Sequence, residues 1–574
     1  MRFRAPSKSK RKALWLSTWL ALASTVMSAA QTGSSAITTD PVFKAMVDEM
    51  NRSISQLQLS SLDKPYFIQY IVLDEDEFAA RATFGAITQS SPTKQRLIYS
   101  QVRVGSYDFD NTEFQAGGGQ GGAGGGNPGL YQGPVDDDYD SMRHTLWLAT
   151  DASYKAASEI IAQKRASIQN RTQEDRVPDF TRESPTVSVS EKRKLEFDRA
   201  KIEGQLRQWS QVFREFPNIQ SSGVSIRARM NHRYVVNSEG TRTMSPELLI
   251  ILQASATAQA ADGMVVANSV PIYARDFSDL PSTEAYTAAI RQMAKDLTAL
   301  REAPVLEADY SGPALLVGQV ATEMFARVLA PNLTGQRGAL QRNGQSATPP
   351  LEDRLNRPIL PSYMSVVDDP TVKSFNSKKL IGYYSNDDQG VPAKRVPLVD
   401  GGLLTDFLMS RRPGKGRLQS NGHGRNGYPG RETPQIGNLI ITAKDGKSPE
   451  ELKKELLKAA KEERLEYGII IRASNPAGTG PVGSPVMVYK VKVSDGKEEL
   501  IRVAGAGGIS VQGLRHLLAV GNDSTAANRL IGTTGAETAT SVVSPSVLVE
   551  EISLDKPSGA QQKPSLITHP FFGN

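Results

Sequence analysis

Histidine and cysteine bound the chemistry open to this chain. It has five histidines, His144, His232, His423, His516 and His569, and no cysteine. No two histidines lie within helical reach of one another, so none of them forms the paired-imidazole motif of a helical metal site. The missing cysteines exclude a disulfide framework, a thiolate nucleophile, a sulfur-ligated zinc and a lipid-modified N-terminal cysteine. His423 lies in Asn421-Gly422-His423-Gly424-Arg425, and with Arg425 it is the candidate for contact with a bound peptide. The plainer reading of that segment is a mobile surface loop. Glu323 precedes Arg327 by one helical turn, which reads as an ion pair or a solvated helix face. Asp136-Asp137-Asp138 and Asp140 lack the calcium-loop spacing and read as a solvated acidic turn. There is no G-x-S-x-G elbow, and the turn Gly478-Thr479-Gly480-Pro481-Val482-Gly483 lacks the lysine of a phosphate loop.

The elements that must position these residues fill a chain of 574 residues, long enough for two or three domains. Its 39% hydrophobic and 22% charged residues fit a globular protein rather than a disordered one. The start of the chain reads as a signal peptide, residues 1–30. Arg2, Arg4, Lys8, Lys10, Arg11 and Lys12 form a basic region, residues 13–26 an apolar one, and Ser28-Ala29-Ala30 a small-residue cleavage site. The apolar run is short for a membrane span. The alternative is a retained anchor. The six basic residues equal the whole net charge of +6, so the mature chain is neutral. That removes the electrostatic case for nucleic acid as a partner. The expected location is periplasmic or secreted, with no membrane contact after cleavage.

Thr39-Asp40-Pro41 reads as a helix start, followed by Phe43, Met46, Val47, Met50, Ile54 and Leu57 at helical spacing. Strands are expected at 66–73, 80–88 and 96–104, and the Gly-rich tract 116–134 as a flexible loop. Helices follow at 141–170, 191–216 and 283–301. Strands at 224–236 and 248–259 flank the turn Asn237-Ser238-Glu239-Gly240. Residues 306–312 read as a link. Beyond it come strands at 380–384, 395–399, 403–409, 439–442, 468–472, 486–493 and 499–504. A helix opened by the capping box Ser448-Pro449-Glu450-Glu451 and stopped at Gly468 interrupts them. The fold class is α+β. Residues 31–305 form an N-terminal and middle region of long helices and a sheet. Residues 306–555 form a mostly antiparallel β domain, a curled sheet or barrel, and residues 556–574 a flexible tail.

The second half carries motifs in a distinctive order. Asp387-Asp388-Gln389-Gly390-Val391-Pro392-Ala393-Lys394-Arg395 is followed by Val399-Asp400-Gly401-Gly402-Leu403-Leu404. Asn421-Gly422-His423-Gly424-Arg425 leads to Pro434-Gln435-Ile436-Gly437-Asn438-Leu439. Gly521-Asn522-Asp523 and Gly532-Thr533-Thr534-Gly535 close the series. With Tyr234-Val235-Val236-Asn237-Ser238-Glu239-Gly240-Thr241 upstream, residues 190–555 resemble the TldD/PmbA family. The resemblance implies a zinc peptidase whose metal is held by H-E-x-x-x-H and a late cysteine. Two imidazoles and a thiolate leave one position for a water, which the glutamate deprotonates. Aligning Leu333 and Gly335 with the family's H-G-L-x-G ending puts Ala326 and Pro331 at the histidines, Arg327 at the glutamate and Thr534 at the cysteine. Ala and Pro offer no ligand atom, and Arg is neither a base nor compatible with a nearby cation.

The expectation is an exported, non-catalytic subunit that holds no cofactor itself. It would pair with a TldD-like zinc peptidase paralogue, which would carry the zinc, and help guide unfolded peptides to it. The alternatives are a stand-alone peptide-binding module, capturing extended chains by strand addition, and an active peptidase with an unrecognised site.

Overall fold

The computed structural model describes residues 39–58, 62–115, 128–168, 177–341, 346–476, 478–532 and 536–557. Residues 1–30, where a signal peptide is expected, most of the Gly-rich tract, residues 558–574 of the expected tail, Thr534 and His569 lie outside the described residues.

The first large unit is built on a sheet of seven strands. Their ranges are β1 Pro65–Thr83, β2 Ala86–Val104, β3 Leu130–Gln132, β4 Val187–Val189, β5 Ser221–Asn237, β6 Arg242–Gln259 and β7 Val265–Ala274. The order is β3-β2-β1-β5-β6-β4, with β7 also on β6, and only the β4–β6 pairing is parallel. Sequence patterning cut β1 and β2 into three strands, because residues 80–88 read as one. In the structure they straddle a two-residue turn at Phe84 and Gly85, both at positive φ. Phe is a rare occupant of that conformation, so the turn left no sequence signature. The turn is held from outside: Arg214 Nη2 donates to the Phe84 carbonyl at 2.6 Å, and Ser210 Oγ accepts from Gly85 N–H at 3.0 Å. The turn after β5 follows its sequence, with Asn237 Oδ1 accepting from the N–H groups of Glu239 and Thr241.

Four helices cover one face of this sheet. Helix α1, Pro41–Gln56, begins at the Asp40 cap, whose carboxylate accepts from Val42 and Phe43 N–H. It packs with α2, Tyr139–Ile168, over Ile68, Tyr70 and Tyr234. Helices α3, Arg199–Gln211, and α4, Thr283–Glu302, cover the other end through Trp209, Leu206, Ile290 and Leu297. Each fully buried side chain of this size contributes about 1.5–3 kcal/mol. Helix α3 starts eight residues later than the expected 191. Residues 191–198 form an irregular strap instead, because the cap that starts the helix is Asp198, bonded to Lys201 N–H. The acidic turn is also more specific than a solvated loop. Asp138 accepts from Ser141 N–H, and Asp137 pairs with the buried Arg96. Residues 130–132 of the Gly-rich tract form strand β3 rather than loop.

The second unit is two sheets facing one apolar core. One runs Leu403–Leu404, Val396–Asp400, Met364–Asp368, Asn438–Ala443, Thr538–Ser544, Thr525–Ile531. The other runs Glu498–Ile501, Ser484–Lys492, Tyr467–Asn475, Tyr310–Leu316, Val547–Asp555, Gly505–Gly507. Neither closes into a barrel among the described residues, and one neighbouring pair in each is parallel. The expected link at 306–312 already enters the strand Tyr310–Leu316. Residues 380–384 are not a strand, and 403–409 is a strand only at its first two residues, with a single further bridge from Leu408 to Thr334. Helix α5, Gln319–Met324, and helix α6, Pro449–Glu462, complete the unit. The capping box of α6 is present, but the helix ends near Arg464 at positive φ, and Gly468 belongs to the following strand.

The face of the first sheet opposite its helices meets the second unit through charge. Arg227 and Arg229 of β5 bond to Glu537, beside the strand Thr538–Ser544. Burial pushes the Glu537 carboxyl up, but the Arg227 bond and the two positive charges outweigh it, so its pKa lies below the ordinary value. The stability this gives is present above about pH 4.3, the ordinary carboxylate value, and is lost as acid protonates the group. Glu537→Gln is expected to lower the unfolding free energy at neutral pH by about 3 kcal/mol. Urea midpoints measured from pH 6 to pH 3 should fall less steeply for the variant than for the natural chain; parallel profiles would remove Glu537 as the acid-sensitive clamp.

Candidate functional site

The helix expected to carry the metal motif is present but altered in form. After α5 the chain widens into a π turn, Phe325–Leu329, and tightens into a 3-10 turn, Ala330–Asn332. Pro331 gives the reason. Proline in an α-helix clashes with the carbonyl four residues back and donates no bond, so the regular helix cannot continue through it. The Ala330 N–H instead reaches back five residues, to Phe325. Val320, Ala321, Met324, Phe325 and Leu329 bury the inner face completely.

At the expected metal position Ala326 is buried and Pro331 exposed, and neither side chain carries a donor atom. Arg327 is engaged on all sides: Nε bonds to Glu323, Nη2 to the Pro476 carbonyl, and Nη1 reaches the Gly480 carbonyl at 3.5 Å. Arg529 adds a second guanidinium, with Nη1 3.6 Å from Glu323 Oε2. Burial lowers the pKa of Arg529, with Arg327 adding to the fall and Glu323 opposing it. The solvated-face reading of Glu323 therefore fails, since its side chain is only 6% exposed, while the ion-pair reading holds. A divalent cation here would meet two guanidiniums and one carboxylate. The residues do not fit a zinc ion, and no cluster of three His, Cys, Asp or Glu suited to a metal exists among the described residues.

His423 is not on a mobile surface loop. It is fully buried, with Nε2 3.0 Å from Asp368 Oδ1 and Nδ1 3.0 Å from the Asn421 carbonyl. Asp368 also accepts from Gly437 N–H. The imidazole thus ties the segment 421–425 to the strand Met364–Asp368 and offers no edge to a peptide. The same corner continues at Asp387, which accepts from the N–H groups of Gln389, Val391 and Gly424. Burial pushes its carboxyl up to about 7 against those three bonds. His232 is buried in the first sheet, where Nε2 accepts from Arg193 N–H at 3.1 Å, and His144 and His516 are exposed.

Arg425 differs from its neighbour. It lies over the Tyr384 ring at 4.1 Å, with Nε 3.5 Å from Asp388 Oδ2, and it lines a polar cavity between the two units. The cavity wall also holds Glu75, Arg229, Asn231, Arg233, Glu247 and Glu537. Sequence reading missed these residues, although a signal exists. Arg227, Arg229, Asn231 and Arg233 alternate with Ile226, Ala228, Met230 and His232, so one strand presents three arginines to a single face.

Residues 310–556 match the PmbA/TldA metallopeptidase C-terminal domain. A metalloprotease of Methanothermobacter thermautotrophicus is 25% identical over 179 residues, 30% of this chain and 36% of that one, so the match spans about a third of the relative's length. TldE from Thermococcus kodakarensis shares the fold with a TM-score of 0.54 at 13% identity, over 89% of this chain and 100% of that one. A putative modulator of DNA gyrase from Thermotoga maritima does so with a TM-score of 0.54 at 17% identity, over 88% and 99%.

Because Arg327 neutralises a buried Glu323 and pins the 476–480 loop, Arg327→Met is expected to destabilise the chain by about 2–4 kcal/mol. The loss in the double variant with Glu323→Gln should fall short of the sum of the two single losses by about 1 kcal/mol or more, since the pair interaction is then counted once. Thermal unfolding of the two single variants and the double variant checks this; additive losses would show the two side chains to be uncoupled.

Proposed function

Since the chain belongs to the TldD/PmbA family, we propose that it is an exported, non-catalytic subunit of a peptidase pair, shaping the passage of unfolded peptides toward a zinc centre in a paralogous chain. The observation that carries this reading is the position of Arg327. Where the family resemblance places the water-activating glutamate, a guanidinium is bonded to Glu323 and to a backbone carbonyl. Such an arrangement supplies neither a base nor a metal ligand, and it is stabilising rather than strained. Around it the two facing sheets, the capped helix α6 and the corner built on Asp387 and His423 keep the family's motifs in place. Loss of the reacting groups within an intact framework supports a role in assembly and substrate handling.

The division of labour follows from elementary requirements. Water activation needs a metal with an open position and a base beside it. This chain contributes neither at the aligned helix, so both would come from a partner carrying H-E-x-x-x-H and the late cysteine. The basic and apolar stretches of residues 1–30 support export, which would place the pair and its peptide substrates outside the cytoplasm.

Co-expression with an exported paralogue carrying the intact histidine motif is expected to give a stable complex on sizing columns. Chelator-sensitive cleavage of unfolded casein should appear in that complex and be absent from this chain alone. Stoichiometric zinc with chelator-sensitive cleavage by the isolated chain would overturn the proposal. A monomer that binds unfolded peptide but ignores the paralogue would favour the stand-alone module.

A further inference from the structure

The strap of residues 191–198 is held to the sheet by one titratable side chain. Among the described residues, the only backbone hydrogen bond made by residues 191–197 runs from Arg193 N–H to His232 Nε2, at 3.1 Å. The other ties are side-chain contacts. Lys192 pairs with Asp40 and Asp137, at the starts of α1 and α2, at 3.2 and 3.4 Å. Arg193 lies 3.5 Å from Asp276, ahead of α4, with both side chains about half exposed. Pairs this exposed contribute little. Leu195 and Phe197 are half-buried, and the Phe197 ring meets Phe78 at 4.7 Å and Phe277 at 5.2 Å. Beside the strap lies a crevice of about 840 Å³, lined by Asp74, Asp76 and Phe78 of β1, His232 of β5, and Leu195 and Phe197 of the strap.

His232 is buried, and because its Nε2 accepts, the neutral ring carries its proton on Nδ1. A second proton would sit on Nε2 and face the Arg193 N–H, donor against donor. Asp74 stands directly across from His232 in the β1–β5 ladder, where it pairs with Arg96 at 2.9 Å, and a charged ring would turn toward it. Asp76 and Lys192 also act on the ring, and the β6 residue opposite, Pro246, carries no charge. Glu77, Lys94, Lys194 and Arg199 complete the charged lining of the crevice with Asp137 and Arg193. Burial holds the imidazole below its ordinary value, with Lys192 adding to the fall and Asp74 and Asp76 opposing it. The ring is therefore neutral at neutral pH, and its bond to Arg193 is intact.

We propose that His232 is an acid-released latch, whose protonation frees the strap and opens the crevice to expose Phe78, Leu195 and Phe197. This latch stands apart from the peptidase pair, since it uses no group of the aligned helix and no second chain. Once the strap has left, the ring returns to the ordinary value of about 6.5. The closed form binds the proton less readily than the open form. Opening therefore grows as pH falls below about 6.5, by up to about tenfold per pH unit. The neighbouring ion pairs stay charged through that window. The bond from Ser278 N–H holds Asp276 below its ordinary value, and at Asp137 the Arg96 bond and Lys192 outweigh the upward push of burial.

Limited cleavage of the full chain by papain, with cuts in residues 191–197 located by mass spectrometry, tests the latch. Each rate is divided by that of a free peptide of the same sequence, residues 188–199, at the same pH, which removes the pH dependence of papain itself. The normalised rate is expected to rise about three- to tenfold between about pH 6.5 and pH 5.5. His232→Gln, whose amide oxygen can accept the Arg193 bond without titrating, should give a low rate that does not change with pH. Arg193→Pro removes the donor and should give a high rate that does not change with pH. Arg193 is exposed, so this variant decides the matter where the buried His232→Gln fails to fold. A flat profile for the natural chain, or an equal rise in either variant, would overturn the latch.

Discussion

The arrangement of the molecule depends on the two-faced character of one long sheet. Even-numbered residues of β5, Ile226, Ala228 and Met230, are buried under helices, and the odd-numbered Arg227, Arg229 and Arg233 meet the second unit. Helix contact is non-directional and tolerates sliding, but ion pairs between fixed partners do not. Arg227 and Arg229 on Glu537, Arg233 on Asp388 and Arg275 on the Ile381 carbonyl fix one register between the units. A further buried arginine, Arg411, bonds to Glu239 and the Thr181 carbonyl and fixes the other side. Such pairs add little net stability compared with apolar packing, yet removing one partner strands a buried charge. The interface is therefore specific rather than merely sticky.

The same logic governs the altered helix. Arg327 would be costly on a buried helix without a partner, and Glu323, one turn earlier, supplies it. Pro331 forbids a continuous α-helix, and the π turn absorbs the mismatch by widening before it. Glu323, Arg327, Pro331 and Arg529 form a mutually consistent set. The ion pair of Arg327 and Glu323 leaves neither charge uncompensated in the core.

Much of this was legible in the sequence, for identifiable reasons. Strong local chemistry announced itself: the Asp40 and Ser448 caps, the Asn237 turn and the helix before Pro331 all lie where their residues place them. What stayed hidden depended on distant residues. The Phe84-Gly85 turn is stabilised by Ser210 of α3 and by Arg214 in the 3-10 turn that follows it, over a hundred residues away in sequence. The short strands of the second unit are bounded by bulges and loops rather than by composition. His423 looked exposed because glycines flank it, whereas those glycines allow the backbone to pack closely. A Cβ at Gly422 would meet the Pro392 carbonyl at 2.2 Å. The cavity was overlooked because its residues come from β1, β2, β5, β6 and three segments of the second unit, with only the Arg alternation on β5 visible locally.

Placing recognition and reaction on separate chains has a physical rationale. A metal centre needs ligands whose geometry tolerates little movement, and a water-accessible open position. A guiding subunit needs the opposite: an interior without a reactive centre. In the proposed subunit Arg327 and Arg411 are tied to carboxylates and carbonyls in that way. Its contribution would be to orient the peptide before it meets the partner's metal, and orientation of a flexible chain is itself a large part of the barrier to cleavage.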